Sequence, residues 1–319
     1  MTVRVGLVGA GAVGARHART LAAFADVELV GICDPAAGAR EALAAEVGVP
    51  CVDGLDRLVR ERPDAVWVCV PPFAHGEPEA ALVRAGIPFF VEKPLAADLP
   101  AAERVAAAVA GSGLPTATGY HWRHLDTVER ARAVLTGRQV RLVDARWWGG
   151  TPPPAWWRAE RLSGGQVVEQ ATHVLDLVRV LAGEVAEVTG GAARSSAEGR
   201  DVPDATAAVL RLESGAVGTV STSCVLPDLT EAGVDLAADG VSVHVTETSL
   251  RVRTRAGEDR AEPAVDARRA VDRAFVDVLN GGPAAPGLVD VAEALRTHRL
   301  ACAVTEATRT GATVRVGGP

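Results

Sequence analysis

The sequence predicts two domains in series. The first is a doubly wound α/β domain over residues 1–120, and the second is an α+β domain over residues 121–319 with a large, mostly antiparallel sheet. Three observations predict this. The first 120 residues alternate short β-branched runs with alanine-rich stretches of helical length, the signature of a parallel sheet covered by helices. After Tyr120 the texture changes to strand-like runs separated by turns, as in an antiparallel sheet. Finally, 319 residues are long for one hydrophobic core.

In chain order, strands read at Arg4 to Val8, Val27 to Cys33, Ala65 to Val70, Phe89 to Val91 and Thr116 to Gly119. Helical stretches between them run near Val13 to Phe24, Ala36 to Glu46, His75 to Arg84 and Pro100 to Val109, with a shorter candidate at Leu55 to Arg60. The second half reads as a helix near Asp126 to Leu135, a strand at Arg141 to Trp147 and a Pro-rich loop through Pro152, Pro153 and Pro154. A helix from Gln166 to Leu181 follows, then strands at Ala205 to Glu213, Ala216 to Cys224, Gly233 to Ala238 and Val241 to Thr246. The chain closes with helical patterns at Val271 to Leu279 and Val289 to Thr308, flanking a loop at Gly281 to Gly287.

Composition narrows the function classes. Apolar residues make up 48% and charged residues 23%, the balance of a chain that buries an ordinary core. A net charge of -7 without a basic run argues against nucleic acid. No apolar run approaches the roughly 18 residues of a membrane span, and the N-terminus enters a strand pattern without a leader, so a cytoplasmic location is expected. Five scattered cysteines suggest neither a disulfide framework nor a zinc site, and no metal is expected.

The run Gly9-Ala10-Gly11-Ala12-Val13-Gly14 follows a strand and opens a helix, the context that makes a glycine pattern a dinucleotide fingerprint and the first domain a Rossmann domain. Gly9 permits the tight turn, Gly11 lets backbone approach a pyrophosphate, and Gly14 lets the helix pack on the strand, while the N-terminus of that helix offers N–H groups to phosphate. Asp34 ends the second strand, where a carboxylate can accept from the adenosine ribose hydroxyls and repel a 2′-phosphate. NAD is therefore expected. NADP stays possible because Arg40 lies nearby, and Asp34 also suits a turn before Pro35.

A second signal is Phe90-Val91-Glu92-Lys93-Pro94, a Glu-Lys-Pro turn at the C-terminal end of a strand, the edge where doubly wound folds bind ligands. Of 33 basic residues, 32 are arginine and only Lys93 is lysine. A bias toward arginine explains the absences but not this position. A lysine ammonium can be tuned to give up its proton near working pH, whereas a guanidinium cannot.

With the glycine fingerprint, Asp34, Val70-Pro71-Pro72 and His75, this turn resembles the glucose-fructose oxidoreductase and inositol dehydrogenase (Gfo/Idh/MocA) family. In the second half Trp157-Arg158, Gly164-Gly165, Glu169 four residues before His173, and Asp176 resemble its substrate-domain pattern in order and spacing. The resemblance implies that Lys93 hydrogen-bonds the reacting oxygen and that His173 acts as acid or base, with Glu169 standing where the family more often has aspartate. It also implies cofactor contacts from Val70, Pro71, Pro72, His75, Glu92 and Lys93. Glu169 and His173 would share one face of a helix, although such a pair is often only a solvated face.

Tyr120, His121 and Arg123 lie at the expected domain junction and are candidate substrate residues with Trp157 and Arg158; packing is an equal account of Tyr120. Trp147, Trp148, Trp156 and Trp157 crowd a Pro-rich loop, where their faces could stack on a sugar or simply bury area. His17, His124, His244 and His298 show no partner pattern and are read as structural or exposed. The reading is an NAD(P)-dependent oxidoreductase acting on a CH–OH carbon of a sugar, polyol or sugar derivative. A homodimer or homotetramer is expected, because an open sheet face can pair between subunits. Two alternatives stay open: an enzyme that holds and recycles NAD, as in redox-assisted glycosidases or internal oxidoreductases, and a non-catalytic NAD-binding sensor.

Overall fold

The computed structural model describes residues 2–195 and 199–317. Its elements in the first half are β1 (Val3–Val8), α1 (Ala12–Ala22), β2 (Val27–Cys33), α2 (Ala37–Val47), α3 (Leu55–Arg60), β3 (Ala65–Val68), α4 (Glu77–Ala85), β4 (Phe89–Val91), α5 (Leu99–Ala110) and β5 (Thr116–Thr118). There follow α6 (Asp126–Leu135), β6 (Val140–Trp148), α7 (Glu160–Ser163), α8 (Gly165–Glu169), α9 (Thr172–Ala182), β7 (Val185–Ala193), β8 (Ala205–Leu212) and β9 (Val217–Ser223). The last are β10 (Glu231–Ala238), β11 (Val241–Thr246), β12 (Leu250–Thr254), β13 (Gly257–Ala261), α10 (Ala267–Leu279), α11 (Val291–Thr310) and β14 (Val314–Arg315).

The chain forms two compact units. The first comprises Met1–Ala96, Pro100–His121 and Arg268–Leu295; the second comprises Ala97–Leu99, Trp122–Ala267 and Arg296–Pro319. The units are therefore not two consecutive segments, because a stretch near the C-terminus packs with the first.

Among the described residues of the first unit, five parallel strands run in the order β2-β1-β3-β4-β5. The central strands are buried on both faces, which is why they read as continuous apolar runs. The sheet order reverses direction at β1, so the crevice for a ligand opens where the C-terminal ends of β1 and β3 diverge. From the other end of the chain α10 adds Phe275, whose ring meets Trp67 at 5.3 Å between centroids, and Arg273, which holds Asp26 through two bonds of 2.7 and 3.0 Å. β3 ends at Val68, two residues short of the expected Val70, because Pro71-Pro72 turns the chain into a single 3₁₀ turn at Pro72–Ala74. His75 consequently precedes α4 rather than opening it.

The second unit has nine described strands in the order β13-β12-β11-β10-β6-β9-β8-β7-β14, all pairs antiparallel except β6 with β9. Burial alternates along β8 and β11, as expected of a sheet covered on one face. The covered face packs Val143, Val220, Val234 and Val243 against apolar positions of α6, α9 and α11. The other face leaves Leu142, Val209 and Val217 about half exposed. Strands β7, β12, β13 and β14 go beyond the sequence reading.

The helix expected from Gln166 to Leu181 is broken. The N–H of Ala171 donates to the carbonyl of Gln166 at 2.9 Å, a five-residue step that widens and underwinds the turn. The next bond, His173 N–H to the Gln170 carbonyl, spans only three residues at 3.4 Å. Glu169 and His173 thus lie on separate helices, α8 and α9, and their spacing no longer implies a shared face.

Candidate active site

In the first unit the fingerprint glycines divide by what surrounds them. A Cβ on Gly9, which has a φ of +99°, would sit 2.3 Å from the Cys69 carbonyl oxygen, and one on Gly14 would sit 1.9 Å from that of Gly9. Those two are glycine because backbone fills the space a side chain would need. Gly11 is the opposite: a Cβ there would meet nothing within 4 Å. Gly11, Ala12 and Val13 are exposed at the start of α1, which has no side-chain cap. An open, positively polarised helix N-terminus beside a backbone that can be approached closely fits a dinucleotide pyrophosphate.

Asp34 is tied to this loop. Its Oδ2 accepts from the Ala10 N–H and its Oδ1 from the Ala36 N–H, both at 2.8 Å. The carboxylate therefore serves as the turn acceptor and retains lone pairs for a ribose hydroxyl. Arg40 reaches the same pocket and donates to the Asp34 backbone carbonyl at 3.0 Å. His75 is buried and hydrogen-bonded through Nδ1 to Glu79 at 2.6 Å, while no hydrogen-bond partner is found for its buried Nε2 among the described residues.

Lys93 is half-buried at the end of β4, with a cis peptide bond to Pro94. Glu92, expected among the cofactor contacts, turns inward and is 6% exposed. Its Oε2 accepts from the Lys93 N–H at 3.0 Å; its Oε1 accepts from Arg16 at 3.1 Å and from His17 Nε2 at 2.9 Å. His17 is fully buried and bonds Asp272 through Nδ1 at 2.7 Å, and the Trp67 indole donates to the same Asp272 oxygen at 2.9 Å. Only an imidazolium can donate to both carboxylates at once. Burial alone would lower the affinity of His17 for its proton, but the charges and hydrogen bonds of Asp272 and Glu92 overcome that and raise its pKa to about 9. For Glu92 burial works upward, yet His17, Arg16 and Lys93 together hold it down at about 2.

His17, Arg16 and Asp272 were not among the sequence-level candidates. A signal existed for His17: it falls with Gly14, Ala18 and Leu21 on the buried stripe of α1, where a polar side chain needs a partner. Asp272 lies 255 positions away, beyond any local pattern.

In the second unit His173 is 5% exposed, and its ring lies nearly parallel to those of Trp122 and Trp147, with centroids 5.6 and 6.0 Å away. Glu169 accepts from the Trp157 indole N–H at 2.8 Å. Trp157 itself is fully buried, with its indole N–H spent on Glu169. Arg123 grips Asp176 with two bonds of 2.7 and 2.6 Å and is committed to that ion pair. Tyr120 and His121, which belong to the first unit, are 1% and 7% exposed, whereas Arg158 is exposed. Gly164 and Gly165 both adopt positive φ and start α8.

The fold of the first unit and its glycine cradle define an NAD-binding oxidoreductase. A model described as an oxidoreductase family with an NAD-binding Rossmann fold matches residues 3–120, and one described as the GFO/IDH/MocA C-terminal domain matches residues 137–251. The chain belongs to the Gfo/Idh/MocA family. It is 37% identical over 232 residues to a myo-inositol dehydrogenase of Streptomyces leeuwenhoekii, covering 69% of each chain. It is 32% identical over 238 residues to an inositol 2-dehydrogenase of Rhizobium meliloti, covering 70% of this chain and 69% of that one. Its fold is similar over the full length of both chains to a levoglucosan dehydrogenase in complex with NADH and levoglucosan, with a TM-score of 0.89 at 18% identity. Among the described residues no helix is long and apolar enough to cross a membrane.

Two measurements follow. Gly11→Ala should leave the melting temperature nearly unchanged while weakening NAD binding, whereas Gly14→Ala should destabilise by about 1–3 kcal/mol or more, as overpacking does; calorimetric titration and melting separate the two. The buried charges set a pH window. The pKa of His17 rises above its ordinary 6.5, so its contribution is complete below about pH 6.5 and is lost as pH rises through about 9. That of Glu92 falls below its ordinary 4.5, so its contribution is present above about pH 4.5 and is lost as pH falls through about 2. Melting temperature should therefore fall between about pH 7 and pH 10 in the wild type and fall less in His17→Gln, and parallel curves would contradict the assignment.

Proposed function

We propose that the chain is an NAD-dependent dehydrogenase moving a hydride between nicotinamide and a CH–OH carbon of a polyol, sugar or sugar derivative. The observation that carries this is the placement of an open glycine cradle, the Asp34 carboxylate and the only lysine of the chain along one edge of one parallel sheet. NAD supplies hydride acceptance when bound. The loop at Gly11 would hold its pyrophosphate, Asp34 the adenosine ribose, and Val70, Pro71, Pro72 and His75 the nicotinamide side. Asp34 favours NAD, and the contact of Arg40 with the same residue keeps NADP a measurable competitor.

Lys93 and His173 handle the hydroxyl proton in this reading. One takes it as the hydride leaves in oxidation and returns it in reduction. Glu169, fixed by Trp157, is the carboxylate that supports the acid–base function on the second unit. The relatives named inositol dehydrogenases support a polyol as substrate class. Turnover screened over inositols, sugars and sugar derivatives with NAD and NADP tests the reading. Lys93→Met should cut kcat by orders of magnitude with little change in NAD affinity, and undiminished turnover would remove Lys93 from the chemistry.

We place the enzyme in the cytoplasm as a homodimer or homotetramer. The half-exposed apolar residues Leu142, Val209 and Val217 on the uncovered face of the second unit's sheet support the assembly. Light scattering should return a multiple of the 32.9 kDa chain mass, and a monomer would refute this part.

A further inference from the structure

The first unit contains a buried chain of charges that the reaction as read above leaves unassigned. Asp272, His17 and Glu92 are joined end to end across α10, α1 and the end of β4 by hydrogen bonds of 2.7 and 2.9 Å. Both oxygens of Glu92 are committed, Oε1 inward to His17 and Arg16 and Oε2 to the backbone N–H of Lys93. The carboxylate therefore cannot rotate without releasing one side. Gly119 leaves room for it: a Cβ there would lie 2.7 Å from the carboxylate. The groups facing the chain are Arg16, at Glu92 and also 3.1 Å from His17 Nε2, Lys93 at Glu92, Trp67 at Asp272, and the buried Cys69, whose thiol is held neutral by burial and by the charges of Glu92 and Asp272.

We propose that Glu92, clamped by Arg16 and the His17–Asp272 pair, is the positioning residue of Lys93. It fixes the lysine's backbone and supplies the anion that sets how tightly the ammonium holds its proton. His17 and Asp272 act one step further back. The charges of Asp272, His17, Glu92 and Arg16 alternate and cancel. Losing the Glu92 anion removes an attraction on the Lys93 ammonium, whereas losing the His17 cation leaves an uncompensated negative charge beneath it. The two losses therefore act with opposite sign. The inference rests on the proposed proton role of Lys93.

The single lysine makes the test direct, because protein labelled with carbon-13 at the lysine ε position gives one lysine signal, that of Lys93. In Glu92→Gln the midpoint of its pH titration should move down, and in His17→Gln up, each by about half a pH unit or more. Arg16→Gln, which alters a half-buried side chain, should also move it up and replaces His17→Gln if that variant melts below the assay temperature. Unchanged midpoints, or midpoints that move the same way, overturn the proposal. The kcat–pH profile of Glu92→Gln on a substrate from the screen should shift with the carbon signal, and KM should change less than kcat. Opposite shifts with a fully active Lys93→Met would uphold the charge chain and refute the proton role. Unchanged midpoints with an inactive Lys93→Met would do the reverse.

Discussion

Burying an ionised side chain is costly unless an opposite charge is bonded to it, and removing one partner of such a pair typically costs about 3–5 kcal/mol. The first unit is organised around one instance of that constraint. His17 is fully enclosed and ionised, so it requires Glu92 on one side and Asp272 on the other. Those two requirements bring together the helix that begins at the glycine turn, the strand end that carries Lys93, and a helix from near the C-terminus. The aromatic contacts of Trp67 with Phe90 and Phe275 fill the space beside the same chain of charges.

The second unit answers the same constraint differently. Asp176 accepts from Arg123 and from the Thr297 hydroxyl, and Arg179 bonds both Thr297 and Glu184. This network fixes α9 from its buried side, while the rings of Trp122 and Trp147 lie beside His173 near its start. The histidine is thus set by packing and by a helix start, and the carboxylate expected to orient it sits on the preceding helix, held by an indole.

Much of the fold was legible in the sequence. The parallel strands β3 and β4, and β1 from Val5 onward, are buried on both faces, so they had to be continuous apolar runs between glycine or proline turns. The glycine fingerprint was legible because backbone crowding at Gly9 and Gly14 admits no other residue. Strand β7 was not, since Thr189-Gly190-Gly191-Ala192-Ala193 has low β-propensity and is held by its neighbours. Strand β13 is exposed from Gly257 to Arg260 and carries no apolar alternation to read. The break before α9 was hidden because Gln170 and Ala171 are ordinary helix residues, and a non-standard backbone hydrogen bond leaves no compositional trace. For the site, spacing singled out residues that the fold sets at the ends of parallel strands, the glycine turn after β1, Asp34 after β2 and Lys93 after β4. It missed Asp272, a partner that exists only once distant helices pack, and it gave no sign that Trp157 is fully buried or that Arg123 pairs with Asp176.

The return of α10 to the first unit bears on the order in which the protein can be made. A ribosome releases the glycine turn, the parallel strands and Lys93 long before residue 268 emerges. Until then His17 and Trp67 have no Asp272 to receive their N–H groups, and the core lacks Phe275. Domains commonly fold as they are synthesised, N-terminal first. Here the nascent first half stays incomplete until most of the second has been translated. A fragment cut at residue 120 would keep Glu92 but lack Asp272, one of the two carboxylates that neutralise its own buried cation.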